Sequence, residues 1–321
     1  MAGRSGNRPV IPYVRDFDFA YGRCDQVSPL IRRVVAANPG PFTFTGTGTY
    51  IVGHRTVAVI DPGPMLDEHL AALLKAVEGE TVSHILVTHT HSDHSPLARP
   101  LSDALGGAPI LAARPPALVT TATGEEGADD AFSPDVILTG GEQVSGPGWT
   151  IEAMATPGHA SNHLAFALIE EHALFPGDHI MGWSTSVVVP PDGDMDAYLD
   201  SLEQARARGF DTLWPTHGPP VTDVGPFLDA YIEHRLAREA QIIERLKAGD
   251  RTIAEMVPVL YAAVDRRLWP AASLSVLAHL IRLGRRGVVR QTGDGQALEP
   301  GLSTVFVLAE ADPAQDLPLG R

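Results

Sequence analysis

The sequence contains a single cysteine, Cys24, among 321 residues. One cysteine excludes an intramolecular disulfide framework and any cysteine-rich zinc knuckle or ribbon. Basic residues are also scarce, because 24 Lys and Arg stand against 39 Asp and Glu, which gives a net charge of −15. This acidic balance argues against strong, non-specific binding of nucleic acid by the whole surface, and it leaves open a local basic groove.

Long apolar runs are absent as well. No run reaches the roughly 18 residues that a membrane-spanning helix needs. Residues 1–23 lack the continuous apolar core of a secretion signal. These absences predict a cytoplasmic protein with no membrane partner. Hydrophobic residues still make up 44% of the chain, which is typical of a globular protein.

Short β-branched runs alternate with helical patterns over the first two-thirds of the chain. Leucines at helical spacing predict helices near residues 66–77 and 199–205, the second of them capped by Asp196. This alternation predicts a layered α/β or α+β domain over residues 1–225. The predicted strands are Thr49–Val52, Val57–Ile60, Ile85–Val87, Trp149–Met154 and His163–Leu168.

The pattern changes after Pro226, and a small module of three helices and a β-wing is predicted over residues 226–300. Its first helix extends from about Leu228 to Gly249. The other elements are a helix over Ile253–Tyr261, a helix over Ser273–Leu283, and two short strands around a turn in 284–301. Residues 301–321 are predicted to be a partly disordered tail.

The segment VTHTHSDHSPLA is rich in side chains that bind metals. It places His89, His91, Asp93 and His94 within six residues, directly after an apolar strand. In an extended turn, His89 and His91 project to the same side, because side chains repeat with period two. Asp93 and His94 then point to a second position nearby. One loop can therefore supply ligands to two metal ions.

Three further candidates stand where an apolar strand leads into a loop that contains Gly or Pro. They are His159, Asp178 and His217. Functional groups tend to sit on such loops, while the scaffold around them is rigid.

The HTHSDH segment, followed in order by His159, Asp178 and His217, resembles the metallo-β-lactamase superfamily. Asp61, at the end of the strand 57–60, matches the first motif of that superfamily. The resemblance spans about Thr45–Gly218. It implies a four-layer αββα sandwich with the metals at one rim.

The resemblance also implies a role for each residue. His89, His91 and His159 resemble the ligands of one ion, and Asp178 resembles the carboxylate that bridges the two ions. Asp93, His94 and His217 resemble the ligands of a second ion. Asp61 would hold the histidine loop, with His163 as a neighbouring support. Imidazole and carboxylate ligands without thiolate suit two Zn²⁺, and Mn²⁺ or Fe²⁺ would also be tolerated.

Two ions held in this way favour hydrolysis, because a bridging hydroxide can attack a carbonyl or phosphoryl centre. Asp93 or Asp178 would accept a proton. The residues from Leu174 to Gln204, the LWPTHGPPV segment and the helix that follows resemble the β-lactamase-like endoribonuclease branch found in mitochondria, with its bacterial relatives. That branch carries a C-terminal winged-helix-like domain and implies metal-dependent cleavage of single-stranded RNA.

Two features bear on the substrate, and each has two interpretations. The cluster Arg282, Arg285, Arg286 and Arg290 would neutralise phosphates, or it is a solvated helix C-terminus favoured by the helix dipole. Trp183 and Thr185 line a substrate pocket, or they belong to a buried strand that continues into 187–189.

The sequence leaves three other functions open. A small-molecule hydrolase of the glyoxalase II type would cleave a thioester, ester or lactone. A β-lactamase would need to reach the periplasm, and no secretion signal is visible. A DNA-binding regulator would use the wing module without catalysis. The oligomeric state is also open, and a homodimer is one alternative.

Overall fold

The computed structural model describes residues 10–116, 127, 129–292 and 300–309. The chain divides into two compact units, with the division between His234 and Arg235. This division lies inside helix α4 (Val224–Lys247), whereas the sequence analysis placed a boundary beside Pro226. The helix runs through that point because proline is tolerated in the first turn, where its missing N–H has no intrahelical partner.

In its described part, the first unit contains two sheets and three helices besides the start of α4. The strands of the first sheet are β1 (Cys24–Gln26), β2 (Ile31–Val35), β3 (Gly48–His54), β4 (Thr56–Ile60), β5 (Thr81–Leu86), β6 (Ile110–Ala112) and β7 (Val136–Ile137). The strands of the second sheet are β8 (Gln143–Gly146), β9 (Trp149–Ala155), β10 (Leu164–Leu168), β11 (Ala173–Phe175) and β12 (Thr212–Leu213). The helices are α1 (Asp67–Ala76), α2 (Ala98–Ala104) and α3 (Met195–Arg208). Each of the five predicted strands overlaps an observed one.

The first sheet has the order β1-β2-β3-β4-β5-β6-β7, antiparallel from β1 to β4 and parallel from β4 to β7. The second sheet has the order β12-β11-β10-β9-β8 and is antiparallel except for the β11–β12 pair. The parallel strands β4 and β5 end at the same edge of the sheet, and so do β11 and β12. Loops that leave these strand ends are therefore brought together.

Alternating side chains of the first sheet enter two different cores. Tyr50 and Ile60 lie in the core shared with β9, β10 and β11 of the second sheet. Ile51 and Val59 lie in the opposite core, with Leu73 of α1 and residues of α2. This period of two packs one face on the other sheet and the opposite face on helices.

Helix α3 is bonded to the face of the second sheet that is turned away from the shared core, where an αββα arrangement has its fourth layer. Arg208 near its end bonds the carboxylate of Glu152 in β9 at 2.8 Å and 3.1 Å. The helix begins at Asp194, whose carboxylate accepts a hydrogen bond from the Ala197 N–H at 2.9 Å. The prediction that Asp196 caps it is wrong, because Asp196 is already helical while Asp194 is extended, as a cap must be.

The second unit contains the rest of α4, α5 (Ile253–Leu260), a short 3₁₀ turn, α6 (Trp269–Arg285) and the antiparallel pair β13 (Val289–Thr292) and β14 (Val305–Leu308). Its three helices overlap the predicted ones, whereas only the first strand of the wing lies within the predicted segment 284–301. Helix α6 begins four residues earlier than predicted, with Pro270 in its first turn. Strand β14 lies in the segment predicted to be tail, because its residue Phe306 is buried in the core of this unit. The remainder of that tail, residues 310–321, lies outside the described residues.

None of the helices among the described residues has both the length and the hydropathy that a bilayer span requires.

Candidate metal centre

The histidine loop follows β5 and folds back on itself within one turn. The N–H of His94 bonds the carbonyl of His91 at 3.0 Å, and the N–H of Thr88 bonds a carboxylate oxygen of Asp61 at 2.8 Å. Because both ends of the loop are fixed in this way, its four candidate side chains have defined directions. The side chains of His89, His94 and Asp93 are buried.

The other candidates lie at the ends of β9, β11 and β12, and glycine makes two of these turns possible. Gly158 precedes His159 and has a φ of +140°, and a Cβ there would lie 2.3 Å from the Cα of Tyr198. Gly177 precedes Asp178 and has a φ of +55°, and a Cβ there would lie 2.6 Å from Nε2 of His163. Both positions exclude a side chain by conformation and by space.

One cluster of imidazoles is formed by His89, His91 and His159. Nδ1 of His91 lies 2.9 Å from Nε2 of His89 and 3.2 Å from Nε2 of His159. The candidate ligand atoms of the three residues lie within 4.8 Å of one another. The structure therefore brings together the three residues that the resemblance assigned to one ion.

A second cluster is formed by Asp93, His94 and His217, with Asp178 beside it. Nε2 of His217 lies 3.0 Å from Oδ2 of Asp93 and 3.3 Å from Oδ1 of Asp178, and Nε2 of His94 lies 3.5 Å from each of these oxygens. His89, His94 and Asp178 also form a group within 4.8 Å. Since this group shares members with both clusters, the two clusters adjoin at Asp178.

The buried polar atoms of the second cluster fit a divalent cation. Among the described residues, Nε2 of His94, Nε2 of His217, Oδ1 of Asp178 and both oxygens of Asp93 have no hydrogen bond of acceptable geometry. Buried polar atoms are normally satisfied. Imidazole nitrogens and carboxylate oxygens that converge without a hydrogen bond are the donor set of Zn²⁺ and related ions.

The two clusters differ in their affinity for protons. Burial, together with the neighbouring imidazoles, lowers the pKa of His91 to about 3 and that of His89 well below its ordinary value. Burial would also lower the pKa of His217, but Asp178 and Asp93 raise it to about 10. The same carboxylates hold the pKa of His94 well above its ordinary value. The second cluster is therefore a buried group of opposite charges before a metal enters.

Asp61 connects the histidine loop to the loop after β12. Its Oδ2 accepts hydrogen bonds from Nδ1 of His94 at 2.9 Å, from Oγ1 of Thr88 at 2.8 Å and from Oγ1 of Thr216 at 3.0 Å. Asp61 itself has a φ of +49°, and its carbonyl accepts a bond from Oγ1 of Thr49 at 2.7 Å. Asp61 thus contacts the histidine loop that the sequence analysis expected it to support.

The threonines were missed by the sequence analysis, although a signal for two of them exists. Thr88 directly precedes His89, and Thr216 directly precedes His217. A hydroxyl at each of these positions meets the same carboxylate. The repeated Thr-His pair is therefore a pattern that could have identified both residues.

Main-chain carbonyls fix the orientation of two further histidines. Nδ1 of His159 donates to the carbonyl of Val187 at 2.6 Å, and Nδ1 of His217 donates to the carbonyl of Gly46 at 3.2 Å. A histidine that donates from Nδ1 presents Nε2 as the free ligand atom. Nε2 is the atom that each ring directs into its cluster.

The remaining predicted residues lie around the centre. The ring centroid of His163 lies 4.9 Å from that of His89, and its Nδ1 lies 2.8 Å from Oγ1 of Thr156. Trp183 and Thr185 are half-buried in a loop without regular secondary structure, so the alternative of a buried strand there is wrong. Trp183 stacks on Phe44, a residue that the sequence analysis did not single out.

Comparison with known proteins identifies the family. A model of the metallo-beta-lactamase superfamily matches residues 43–217, which is more than half of the chain. The chain belongs to the metallo-β-lactamase superfamily. A model of the beta-lactamase-associated winged helix domain matches residues 252–297. The fold and the C-terminal domain expected from the resemblance are thus confirmed, and the protein is a hydrolase of metallo-β-lactamase fold with a candidate divalent-metal site.

Relatives of this superfamily member carry different names. The chain is 33% identical over 271 residues to a beta-lactamase-like protein 2 homolog of Caenorhabditis elegans, which covers 83% of this chain and 88% of the relative. It is also 33% identical over 251 residues to an atrochrysone carboxyl ACP thioesterase of Aspergillus chevalieri, which covers 74% and 75%. A beta-lactamase domain protein from Burkholderia ambifaria has the same fold, with a TM-score of 0.75 at 20% identity over 92% of this chain and 96% of the other.

Proposed function

We propose that this metallo-β-lactamase superfamily member is a dinuclear zinc hydrolase that cleaves an acyl thioester or ester. The observation that supports two ions is the pair of adjoining ligand clusters that meet at Asp178. One ion would be held by His89, His91 and His159. The other would be held by Asp93, His94 and His217, with Asp178 between the two.

Zn²⁺ ions bound there would supply Lewis acidity and lower the pKa of a water molecule toward about 7. The residues of the chain orient this chemistry. Asp61 holds His94, and the carbonyls of Gly46 and Val187 hold His217 and His159. These contacts fix the direction of each Nε2 before the substrate arrives, so little reorganisation is needed during the reaction.

Asp93 is the carboxylate we assign to proton transfer. Its side chain is 11% exposed, while that of Asp178 is 2% exposed. A group that exchanges protons with substrate must reach the solvent side of the centre. Asp93 would accept the proton of the attacking water and deliver it to the leaving group.

Charge favours an acyl substrate over RNA. The net charge of −15 opposes the approach of a polyanion. The arginine cluster is also smaller than the sequence suggested, because Arg282 is buried and its guanidinium bonds the Glu239 carboxylate at 2.5 Å. The relative named as an acyl carrier protein thioesterase gives further support for a thioester.

RNA cleavage is the second candidate, supported by the match to a winged helix domain and by three exposed arginines. Arg285, Arg286 and Arg290 lie at the end of α6 and on β13. Residues 272–283 of α6 are buried or half-buried, so the exposed arginines are confined to the C-terminal end of this helix and to β13. We therefore place the thioester first and test both substrates together.

The test offers zinc-loaded protein a thioester of N-acetylcysteamine and, separately, a labelled single-stranded RNA. We expect release of free thiol and intact RNA. The H91A variant removes one ligand of the first cluster and serves as the inactive control. RNA cleavage without thiol release, lost in H91A, would overturn the thioester proposal and support the nuclease.

Because the histidine pKa values differ between the two clusters, we expect the two zinc affinities to depend differently on pH. Zinc needs a neutral imidazole, so binding at His217 and His94 must displace protons, whereas His91 is already neutral at pH 7. Between pH 7 and pH 9, one equivalent of Zn²⁺ is expected to bind with little change in affinity. The other equivalent should tighten with rising pH, by about tenfold per unit for each displaced proton.

Titration against a competing chelator at several pH values, with proton release followed by calorimetry in two buffers, measures both equivalents. Equal pH slopes for the two equivalents would contradict the charge difference between the clusters. In H217N, only the pH-insensitive equivalent should remain.

A further inference from the structure

Two aromatic side chains from distant parts of the chain stack beside the candidate centre. The rings of Phe44 and Trp183 have centroids 4.8 Å apart and lie within 15° of parallel. Both residues are half-buried, so part of the stacked pair is open to solvent. We call these two residues the aromatic platform.

Phe44, one of the two platform residues, has a backbone conformation that is energetically unfavourable. Phe44 has a φ of +55°, which is uncommon for a residue with a side chain. Main-chain hydrogen bonds between Gly40 and Phe44 keep it there, at 2.9 Å and 3.3 Å. The Asn38 side chain bonds both N and Oγ1 of Thr47 at 2.9 Å and braces the rest of this loop. Such strain is found at ligand-binding positions more often than elsewhere.

The position of the Trp183 ring depends on Gly218, which has no side chain. A Cβ at Gly218 would lie 2.9 Å from Cδ1 of Trp183 and 3.5 Å from Cδ1 of Phe44, so the absence of a side chain at Gly218 gives both rings their place. Nε1 of Trp183 is buried and has no hydrogen-bond partner among the described residues. An indole N–H usually finds a partner when buried, so this N–H is available to a bound group or a water molecule.

Both parts of the platform belong to the segments that orient the candidate zinc ligands. Gly218 directly follows His217, and the Gly46 carbonyl that accepts from His217 comes two residues after Phe44. Trp183 lies in the loop whose Val187 carbonyl accepts from His159. The platform is therefore fixed to the same main chain that positions one histidine of each cluster.

We propose that the aromatic platform binds a planar aromatic acyl group of the substrate and so determines which thioester or ester the enzyme prefers. The proposal rests on the acyl-ester function proposed above. A flat aromatic group would extend the existing stack in an offset arrangement, the geometry that aromatic rings favour. A short aliphatic acyl group would gain no such contact.

The test compares 2-naphthoyl and acetyl thioesters of N-acetylcysteamine with zinc-loaded wild type, W183L and F44L. Leucine keeps apolar bulk and removes the ring. We expect the ratio of kcat/KM for naphthoyl over acetyl to fall about two- to tenfold in each variant, which is the range that one stacking contact contributes. An unchanged ratio in both variants would overturn the proposal.

The matched control is F19L. Phe19 also belongs to a stacked pair, with Phe17 at 4.8 Å, and packs on Tyr21 rather than on the centre. This variant should keep the wild-type ratio. Far-ultraviolet circular dichroism and zinc content confirm that each variant folds and binds metal.

A second measurement separates the platform from the proposed reaction. Calorimetry compares the binding of 2-naphthoate with that of acetate to the zinc-loaded protein, without turnover. If the wild type cleaves no thioester but binds naphthoate more tightly than W183L does, the acyl-ester function fails and the platform stands. If naphthoate binds wild type and W183L equally, the platform fails whatever the activity.

Discussion

Replacing Asp178 by alanine is expected to abolish turnover and to lower metal content together. Its carboxylate lies within reach of His94 and His217 in the second cluster and groups with His89 of the first. Removing it leaves two buried imidazoles facing each other across a gap, with one of the charges that compensate them gone. Loss of a group that only supports a ligand costs about 10- to 100-fold in metal affinity, and loss of a shared ligand should cost more.

Zinc content by elemental analysis and the rate of thioester cleavage measure the two effects on the same preparation. D211A is the matched control, because Asp211 is an exposed carboxylate beside His172, on a different part of the unit. It should retain full metal content and full activity. A D178A protein that binds two equivalents of zinc and turns over normally would rule out the dinuclear centre proposed here.

Replacing Asp61 by asparagine should weaken metal binding without removing any ligand. Oδ2 of Asp61 accepts three hydrogen bonds, from His94, Thr88 and Thr216. An amide has only one oxygen, so its NH₂ group must face donors on one side. We expect zinc affinity to fall by about 10- to 100-fold, and the free energy of unfolding to fall by about 1–3 kcal/mol as buried donors lose their acceptor.

Two variants of Thr216 measure how much one hydrogen bond to Asp61 contributes to zinc affinity. T216S keeps the hydroxyl that bonds Asp61 and should behave like wild type, whereas T216V removes it and should shift zinc affinity in the direction of D61N by a smaller amount. Chelator competition gives the affinity, and urea denaturation gives the unfolding free energy. Wild-type zinc affinity in D61N would show that the histidine loop holds its shape without the carboxylate.

The candidate ligands were predictable from sequence because their signal is local. The HTHSDH segment concentrates four donors in one turn, and the order of His159, Asp178 and His217 repeats a known arrangement. The wider fold followed from the same resemblance. The predictions that were wrong concern features that depend on backbone conformation or on contacts between distant residues. Asp194 rather than Asp196 caps α3, and β14 forms because Phe306 packs into the core of the second unit.

Phe44 could not be predicted for a different reason. Its position depends on an unusual backbone conformation and on Trp183, which is far away in sequence. No periodic pattern or propensity reports a contact of this kind. The same limit applies to Arg282, whose burial against Glu239 turned an apparent surface charge into an internal ion pair.

The ligand atoms come from both sheets, and Asp61 at the end of β4 is bonded to Thr216 at the end of β12. A chain in which only one sheet has formed therefore has an incomplete centre, and a divalent ion would bind strongly only to the assembled sandwich. Because such an ion would bind the native state and not the unfolded chain, it would raise the free energy of unfolding. The increase is about 2.7 kcal/mol at a free ion concentration one hundred times the Kd. The free concentration of the metal would then control the folded fraction of the protein as well as its activity.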